Sequence, residues 1–303
     1  MTVYAPGSTS NVGPGFDCLG IAFLGKGDRV TAMRAREPGV RVRSVSDPRI
    51  PRDPARNTAA LAAAAVARRA GAADAGLELT VEKGLPLAGG MGGSAASAVA
   101  GAVAADALLG ARLGTADLLE AALEAEAVVA GRHADNVAPS LLGGAVLVLG
   151  LDPPRVARVS VDPRLALVFV TPAYAVETAA ARAVLPREVP RGDAVAQAAH
   201  LGALLLGLER GDFDLIRGSM VDRLAEPARA ALYPGYAEAR TAALAAGALG
   251  IAVSGAGPTL VALCERGGAE AVAGSLERAY RALGIEASSL VAGIDTQGAR
   301  VLP

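Results

Sequence analysis

The chain has 303 residues and a formal net charge of −1, and 52% of its residues are hydrophobic while only 3% are aromatic. A balanced charge excludes a basic nucleic-acid-binding face and an acidic tail, and the alanine-rich runs are too often interrupted by charged residues for a membrane span. The length suits two domains, whose cores must be built from Ala, Val and Leu.

The predicted elements begin with strands and continue as a mixture of helices and short strands. In chain order they are strands at 3–5, 19–23, 28–35 and 40–45, a helix at 57–69, a strand at 77–81, helices at 94–109 and 115–130, an irregular polar segment at 133–142, strands at 145–149 and 165–171, helices at 176–184, 194–209, 213–220 and 235–246, strands at 251–253 and 259–264, a helix at 269–283 and a final strand within 287–302. This order predicts an α+β fold. The proline-rich stretch 151–154 predicts a boundary between domains 1–152 and 153–303.

The most informative motif is the glycine loop (residues 86–96), which lies between a predicted strand and a predicted alanine-rich helix. Glycine permits positive φ and close backbone approach. Free N–H groups at a helix start, with the positive end of the helix dipole behind them, form an anion site that commonly takes phosphate. The loop lacks the lysine of the common nucleotide-binding motif, and the chain's two lysines, Lys26 and Lys83, lie outside any such motif. If this loop binds ATP, a serine rather than a lysine stands beside the metal.

Two other segments are rich in glycine and polar residues. Segment 5–17 is either plain coil or a binding loop that presents Asn11 and Asp17. The C-terminal glycine turn (residues 254–259) is, taken alone, most simply a tight hairpin turn between two strands. A role for this turn in the binding site is favoured because a candidate phosphate loop lies elsewhere in the chain.

Charged residues suggest a metal site and a carboxylate site. The stretch 133–136 follows a helix that carries Glu124 and Glu126. It either caps a helix or places a carboxylate near the glycine loop, as Mg²⁺ prefers hard oxygen ligands beside phosphates. Arg182 and Arg229 are either solvated surface residues or partners for a carboxylate, which the planar guanidinium matches.

Together these motifs resemble the GHMP kinases, the superfamily of galactokinase, homoserine kinase, mevalonate kinase and phosphomevalonate kinase. Segments 5–17, 86–96 and 254–259 match three superfamily motifs in the expected order, and the resemblance spans nearly the whole chain. The stretches 133–139, 178–186 and 226–229 are most similar to the homoserine kinases. The resemblance implies a two-domain α+β fold, with an N-terminal domain like domain 2 of ribosomal protein S5 and a ferredoxin-like C-terminal domain.

The resemblance also implies a reaction, which is ATP-dependent phosphorylation of the L-homoserine side-chain hydroxyl to O-phospho-L-homoserine in threonine biosynthesis. ATP is the implied co-substrate and Mg²⁺ the implied cofactor, in a cytoplasmic protein with neither a nucleic-acid nor a membrane partner, and a homodimer is a family-level expectation. The implied ATP-binding residues are Asn57, Pro86, Leu87, Ala88, Gly89, Gly90, Met91, Gly92, Gly93, Ser94, Ala95, Ala96, Gly255 and Gly257. The implied substrate-binding residues are Asn11, Asp17, Asn136, Arg182 and Arg229, while Ser94 and Glu126 hold the metal and act in catalysis together with Asn136.

The chemistry of the substrate supports this assignment independently. Homoserine is a zwitterion, so its site needs a cationic clamp for the carboxylate, which Arg182 and Arg229 can supply. It also needs an anionic or amide partner for the ammonium, which Asp17 with Asn11 can supply. A mevalonate site would need no ammonium partner, and a galactose site would need no arginine pair.

The sequence departs from the family pattern at two points. Gly93 replaces the first of two usual serines, which removes a hydroxyl near the β- and γ-phosphates but keeps the backbone N–H. The spacing from Glu126 to His133 is one residue short, so Glu124 is an alternative metal ligand.

Several alternatives remain open at this stage. They are another GHMP small-molecule kinase, for mevalonate or shikimate, and a non-catalytic binding module of the same fold, which the intact loop and arginines disfavour. An oxidoreductase is disfavoured because no G-x-G-x-x-G motif follows a first strand. The matched motifs contain no lysine–aspartate base pair, so we expect direct in-line transfer with the proton lost to solvent or phosphate.

Overall fold

A computed structural model of the chain describes residues 1–129 and 131–303. The strands are β1 Thr2–Ser10, β2 Leu19–Arg34, β3 Gly39–Val45, β4 Gly76–Glu82, β5 Ala145–Leu151, β6 Pro154–Val159, β7 Leu165–Pro172, β8 Gly250–Val253, β9 Leu260–Glu265, β10 Ala287–Ala292 and β11 Arg300–Val301. The helices are α1 Thr58–Arg69, α2 Gly93–Leu109, α3 Thr115–Val129, α4 Ala134–Leu142, α5 Thr178–Ala183, α6 Arg191–Arg210, α7 Phe213–Ser219, α8 Glu226–Arg229, α9 Tyr236–Ala245 and α10 Ala269–Ala282. This mixture is the predicted α+β class.

The first sheet has the strand order β11-β1-β2-β4-β3, and β5 pairs with the start of β2 and with β6. Only the β3–β4 pair is parallel among the described strand pairs. Helix α2 packs against β1, β2 and α1, and its buried face is almost entirely alanine. Gly101 permits this close packing, because a Cβ there would come within 2.3 Å of the Ala59 carbonyl oxygen. The small residues of the sequence are therefore what allows α1 and α2 to approach each other.

The second sheet is antiparallel, with the order β10-β7-β9-β8, and α9 and α10 pack against it. Strand β7 serves two cores because alternate side chains of a strand point to opposite faces. Leu167 and Phe169 belong to the core of the first sheet, whereas Val168 and Val170 belong to the core of the second. The rings of Phe169 and Phe23 lie 4.5 Å apart between centroids, so the two halves of the chain share apolar packing.

Two sequence predictions about local structure are wrong. The predicted strands 19–23 and 28–35 form one strand, β2, because β1 pairs with both halves across a register shift. Segment 133–142, predicted to be irregular, forms helix α4 from Ala134 onward, with Val137 and Ala138 buried. Packing of α4 on β1, β2 and β5 outweighs its polar residues and Pro139. The predicted end of the 115–130 helix at residue 130 lies outside the described residues.

The turn at residues 152–153, where the sequence predicts a domain boundary, joins the paired strands β5 and β6 of the first sheet. The chain also returns to that sheet at its end, since β11 pairs with β1 while β10 belongs to the second sheet. The predicted final strand is thus two strands in two sheets. We therefore propose a division near residue 160, with the last residues returning to the first half. In the described part of the chain, no helix is long and apolar enough to cross a membrane.

Candidate active site

A cavity of about 320 Å³ lies where the three glycine-rich segments meet. Ser254 of the C-terminal glycine turn donates to the Gly90 carbonyl at 2.5 Å, and its hydroxyl lies 2.8 Å from that of Thr9. The Gly255 N–H donates to the Ser10 carbonyl at 3.0 Å. Segments far apart in the chain, predicted separately from sequence, therefore form one site.

The glycine loop adopts backbone conformations that favour glycine at two points. Gly90 and Gly92 have φ of +70° and +69°, in the left-handed region that side chains disfavour. A Cβ on Gly92 would lie 2.2 Å from the Ser8 hydroxyl oxygen, and one on Gly90 would lie 2.3 Å from the Ser254 carbonyl oxygen. The loop is thus fixed against both neighbouring segments, and helix α2 begins directly after it at Gly93. This is the strand–loop–helix geometry of a phosphate site.

A buried ion pair between Lys83 and Asp28 lies behind the loop, and sequence reasoning did not find it. Lys83 Nζ donates to the Asp28 carboxylate, to the Gly93 carbonyl oxygen at 2.5 Å and to the Ser97 hydroxyl at 3.0 Å. Asp28 is fully buried, and its second oxygen accepts from the Gly84 N–H at 3.1 Å. The three protons of the ammonium are therefore used inside the protein. The scarcity of lysine was the one sequence signal that could have pointed to this pair.

Ser94 and Glu126, the predicted metal partners, contact each other. Ser94 Oγ donates to Glu126 Oε2 at 3.0 Å. Glu126 is 5% exposed, and its Oε1 has no partner in residues 1–129 and 131–303. Burial raises the pKa of Glu126 to about 7, although the bond from Ser94 opposes this shift. An orphaned buried carboxylate oxygen fits a cation ligand.

Glu124, the alternative metal ligand, is occupied elsewhere. It accepts from Arg68 at 2.9 Å and from Arg69 at 2.5 Å. These two arginines, led by the hydrogen bond from Arg69, lower the pKa of Glu124. It does not line the cavity, so the geometry favours Glu126.

Asn136 and Asn57 both line the cavity and are held by hydrogen bonds. Asn136 Nδ2 donates to Ser10 Oγ at 2.8 Å, and Ser8 Oγ donates to Asn136 Oδ1 at 3.0 Å. Asn57 is the N-cap of α1, where its Oδ1 accepts from the Ala60 N–H, while its Nδ2 donates to the Pro51 carbonyl oxygen. Asn57 therefore fixes the shape of the wall that it lines.

The predicted ammonium and carboxylate partners of the substrate are paired with each other in this structure. Arg182 Nη2 donates to Asp17 Oδ1 at 2.8 Å and lies 3.2 Å from His133 Nδ1. Because arginine only donates, the His133 nitrogen is the acceptor. Burial, and to a smaller extent the charge of Arg182, lower the pKa of His133. Asn11 bonds to backbone, since its Oδ1 accepts from the Asp17 N–H and its Nδ2 donates to the Gly255 carbonyl oxygen.

Arg229 is buried at the same end of the cavity. Its Nε donates to the Ala181 carbonyl oxygen at 2.8 Å, and its guanidinium lies 5.0 Å from the ring centroid of Phe16. Burial lowers the pKa of Arg229, although an arginine stays charged at neutral pH. A buried guanidinium at the cavity wall is suited to a substrate carboxylate.

Asp135 is a cavity residue to which the sequence assigned no role by name, although it is the carboxylate of the stretch 133–136. It is 3% exposed, lines the cavity and has an unpartnered Oδ1 within the described ranges. Burial, followed by the charge of Asp17, raises its pKa to about 6. Asp135 lies in the first turn of α4, the segment that the sequence predicted to be irregular.

The structure brings most of the predicted site residues to one cavity. Those that line it are Asn11, Asn57, Pro86, Leu87, Ala88, Gly89, Gly90, Gly92, Gly93, Ser94, Ala95, Glu126, Asn136, Arg182, Arg229, Gly255 and Gly257. Met91 and Ala96 instead pack into the hydrophobic core. Asp17 does not line the cavity in this structure, but it pairs with Arg182, which does.

Comparison with known proteins agrees with this geometry. The family model for the GHMP kinases N terminal domain matches residues 57–144, and that for the GHMP kinases C terminal matches residues 204–282. Together they span the glycine loop, Glu126 and Asn136, and the C-terminal glycine turn. The chain belongs to the GHMP kinase family. The predicted GHMP fold is thereby confirmed.

Full-length relatives of this GHMP kinase are homoserine kinases. The homoserine kinase of Xanthomonas campestris pv. campestris is 41% identical over 99% of this chain and 93% of its own length. That of Trichormus variabilis is 38% identical over 99% and 98%. The crystal structure of homoserine kinase from Cytophaga hutchinsonii matches with a TM-score of 0.95 and 38% identity, covering 100% of this chain and 97% of that one. The crystal structure of L. major mevalonate kinase in complex with R-mevalonate, at 16% identity and a TM-score of 0.70 over 97% of this chain and 95% of that one, shares the fold alone.

Proposed function

We propose that this GHMP kinase transfers the γ-phosphoryl group of ATP to the side-chain hydroxyl of L-homoserine, forming O-phospho-L-homoserine for threonine biosynthesis. The observation that carries the proposal is the charge arrangement around one cavity, which is lined by the glycine loop, Arg182 and Arg229, with Asp17 paired to Arg182. That set matches a zwitterion with a carboxylate and an ammonium. Relatives named homoserine kinase at 38–41% identity support it.

Ser94 and Glu126 fit a magnesium ion, since they offer a hydroxyl and an orphaned carboxylate oxygen beside the glycine loop. When bound, Mg²⁺ would neutralise charge on the phosphates. We expect Glu126→Gln to raise the Mg²⁺ concentration needed for half-maximal activity by about 10- to 100-fold, with Glu124→Gln as the matched control. Equal Mg²⁺ dependence in both variants would remove Glu126 from this role.

We infer direct in-line transfer, in which the chain positions the two substrates and stabilises charge. The first residues of α2 line the same cavity as Asn136, which would lie beside the hydroxyl. Gly93 keeps its backbone N–H, so the missing serine hydroxyl removes one contact to phosphate without removing the site. The homoserine proton would leave to solvent or phosphate.

A coupled ADP-release assay with ATP and Mg²⁺ tests the proposed function. The panel is L-homoserine, D-homoserine, L-threonine, mevalonate, shikimate and galactose. Turnover on L-homoserine alone is the expected result. Turnover of mevalonate or shikimate would support a kinase but reject the amino-acid site. No ADP release with any of the six compounds would favour a binding module without catalysis. A homodimer and a cytoplasmic location remain predictions from the family resemblance.

A further inference from the structure

Asp135 is a buried carboxylate that none of the roles assigned above uses. Asp135 lines the cavity, and its buried Oδ1 has no hydrogen-bond partner among residues 1–129 and 131–303. Buried carboxylate oxygens are nearly always hydrogen-bonded, so an orphan on a residue that lines a cavity indicates a missing partner. The backbone holds it firmly, because Gly20 packs so closely that a Cβ there would lie 1.6 Å from the Asp135 carbonyl oxygen.

The two predicted ammonium partners, Asn11 and Asp17, already have hydrogen-bond partners. Each end of the Asn11 amide makes one bond to backbone. Asp17 bonds to Arg182 through both of its oxygens, at 2.8 and 3.2 Å. The unsatisfied acceptor at this end is therefore Asp135.

The charges around Asp135 indicate a cation as the missing partner. Of its charged neighbours, Asp17 has the largest effect on Asp135 and raises its pKa, and Arg182 opposes this shift more weakly. Asp135 in turn raises the pKa values of Cys18 and Glu126. The like charges of Asp17 and Asp135 repel each other. A cation between the two carboxylates would offset this repulsion and give Asp135 Oδ1 a partner.

We propose that Asp135 is a second anionic partner of the substrate's α-ammonium group and shares it with Asp17. This inference rests on the proposed function, since the ammonium is that of homoserine. Arg182 and Arg229 would bind the carboxylate on the same carbon, which places the ammonium between the arginines and the two aspartates. Asn136, the next residue, remains beside the hydroxyl at the far end of the substrate.

The test compares L-homoserine with 4-hydroxybutyrate, which has the same hydroxyl and carboxylate but no ammonium. Asp135→Asn keeps the size of the side chain and removes its charge. We expect its kcat/KM for L-homoserine to fall at least tenfold, mainly through KM, while KM for ATP stays the same. Its activity on 4-hydroxybutyrate, or inhibition by 4-hydroxybutyrate if turnover is too slow to measure, should be unchanged or improved. Glu124→Gln is the matched control and should alter neither substrate.

Three outcomes would overturn the proposal. Equal loss of kcat on L-homoserine and 4-hydroxybutyrate would indicate that Asp135 accepts the proton of the hydroxyl. Unchanged kinetics of the variant on L-homoserine would show that Asp135 does not take part in binding. An unchanged KM for ATP and a melting temperature no lower than that of the wild type show that the variant is folded. If the wild type turns over no homoserine, the proposed function fails separately, and calorimetric titration of homoserine into wild type and variant still decides the ammonium site. Equal affinities, or no binding by either, would reject it.

Discussion

At the phosphate end of the cavity, the glycine loop is held by backbone geometry and by the buried pair of Lys83 and Asp28, and the unpartnered oxygen there is that of the proposed metal ligand Glu126. At the amino-acid end, Asp17 and Arg182 are each more than a third exposed and bond to each other. Asp135 nearby has an unsatisfied oxygen. The first end is formed before any ligand binds, whereas the second has charges that a zwitterion would rearrange.

This difference indicates what fixes the arrangement of the binding groups at each end of the cavity. A phosphate has the same shape in every nucleotide, so fixed N–H groups suffice to bind it. An amino acid presents two opposite charges, and residues of both halves of the chain must close on them. Substitutions at the phosphate end should therefore change stability, and those at the amino-acid end should change mainly the KM for homoserine. The following predictions test that contrast, from the largest expected effect to the smallest.

Lys83→Met should lower the free energy of unfolding by about 3–5 kcal/mol, because it leaves Asp28 charged and buried without its partner. Urea unfolding measures this loss. Lys26→Met is the matched control, since Lys26 is exposed. Adding Asp28→Asn to Lys83→Met should restore part of the stability. A loss no greater than that of Lys26→Met would contradict the role of the pair.

Asp135→Asn should raise stability at pH 8 by up to about 3 kcal/mol, the value of a pKa shift from 3.8 to about 6. The folded protein keeps the Asp135 proton up to about pH 6, whereas the unfolded chain releases it near pH 3.8. The free energy of unfolding of the wild type should therefore fall as the pH rises from about 4 to above 6. The variant should not show the contribution of Asp135 to this decrease.

The measurement for Asp135→Asn is urea unfolding of both proteins between pH 4 and 8 without ligand or Mg²⁺. Charged and titratable groups that act on this site are Asp17, Cys18, Glu126, His133 and Arg182. The difference between the two proteins isolates Asp135 from these neighbours. A pH-independent difference would contradict the prediction.

Arg229→Ala should raise KM for L-homoserine by roughly 10- to 100-fold, since a charged hydrogen bond to a substrate carboxylate is worth about 1.5–3 kcal/mol. KM for ATP should stay close to the wild-type value, because Arg229 is placed at the amino-acid end. Steady-state kinetics with each substrate varied in turn gives both values. Equal weakening of the two substrates would place Arg229 outside the carboxylate site.

Asp17→Asn should change the unfolding free energy by less than about 1 kcal/mol without ligand, because partly exposed ion pairs contribute little. Its KM for L-homoserine should nevertheless rise. Thermal unfolding with and without L-homoserine separates the two effects, since the ligand should stabilise the variant less than the wild type. A large loss of stability without ligand would make the pair structural.

Much of the fold was predictable because local chemistry sets it. The helix starting near Asn57, the strand after it and the helix after the glycine loop all appear close to their predicted bounds. Helix α4 was not predictable, since its polar residues and Pro139 argue against a helix that tertiary packing nevertheless forms. Asp135, in the first turn of this helix, is therefore placed at the cavity by tertiary packing.

The sequence by itself determined the phosphate end, since glycine at positions 90 and 92 permits a backbone that other residues would strain. Tertiary structure alone decided which charges meet. Asp28 and Lys83 are 55 residues apart in the chain, and Asp17 and Arg182 are 165 apart. Backbone conformation depends on a residue and its immediate neighbours, whereas an ion pair depends on how strands and helices pack, and no local pattern records that packing.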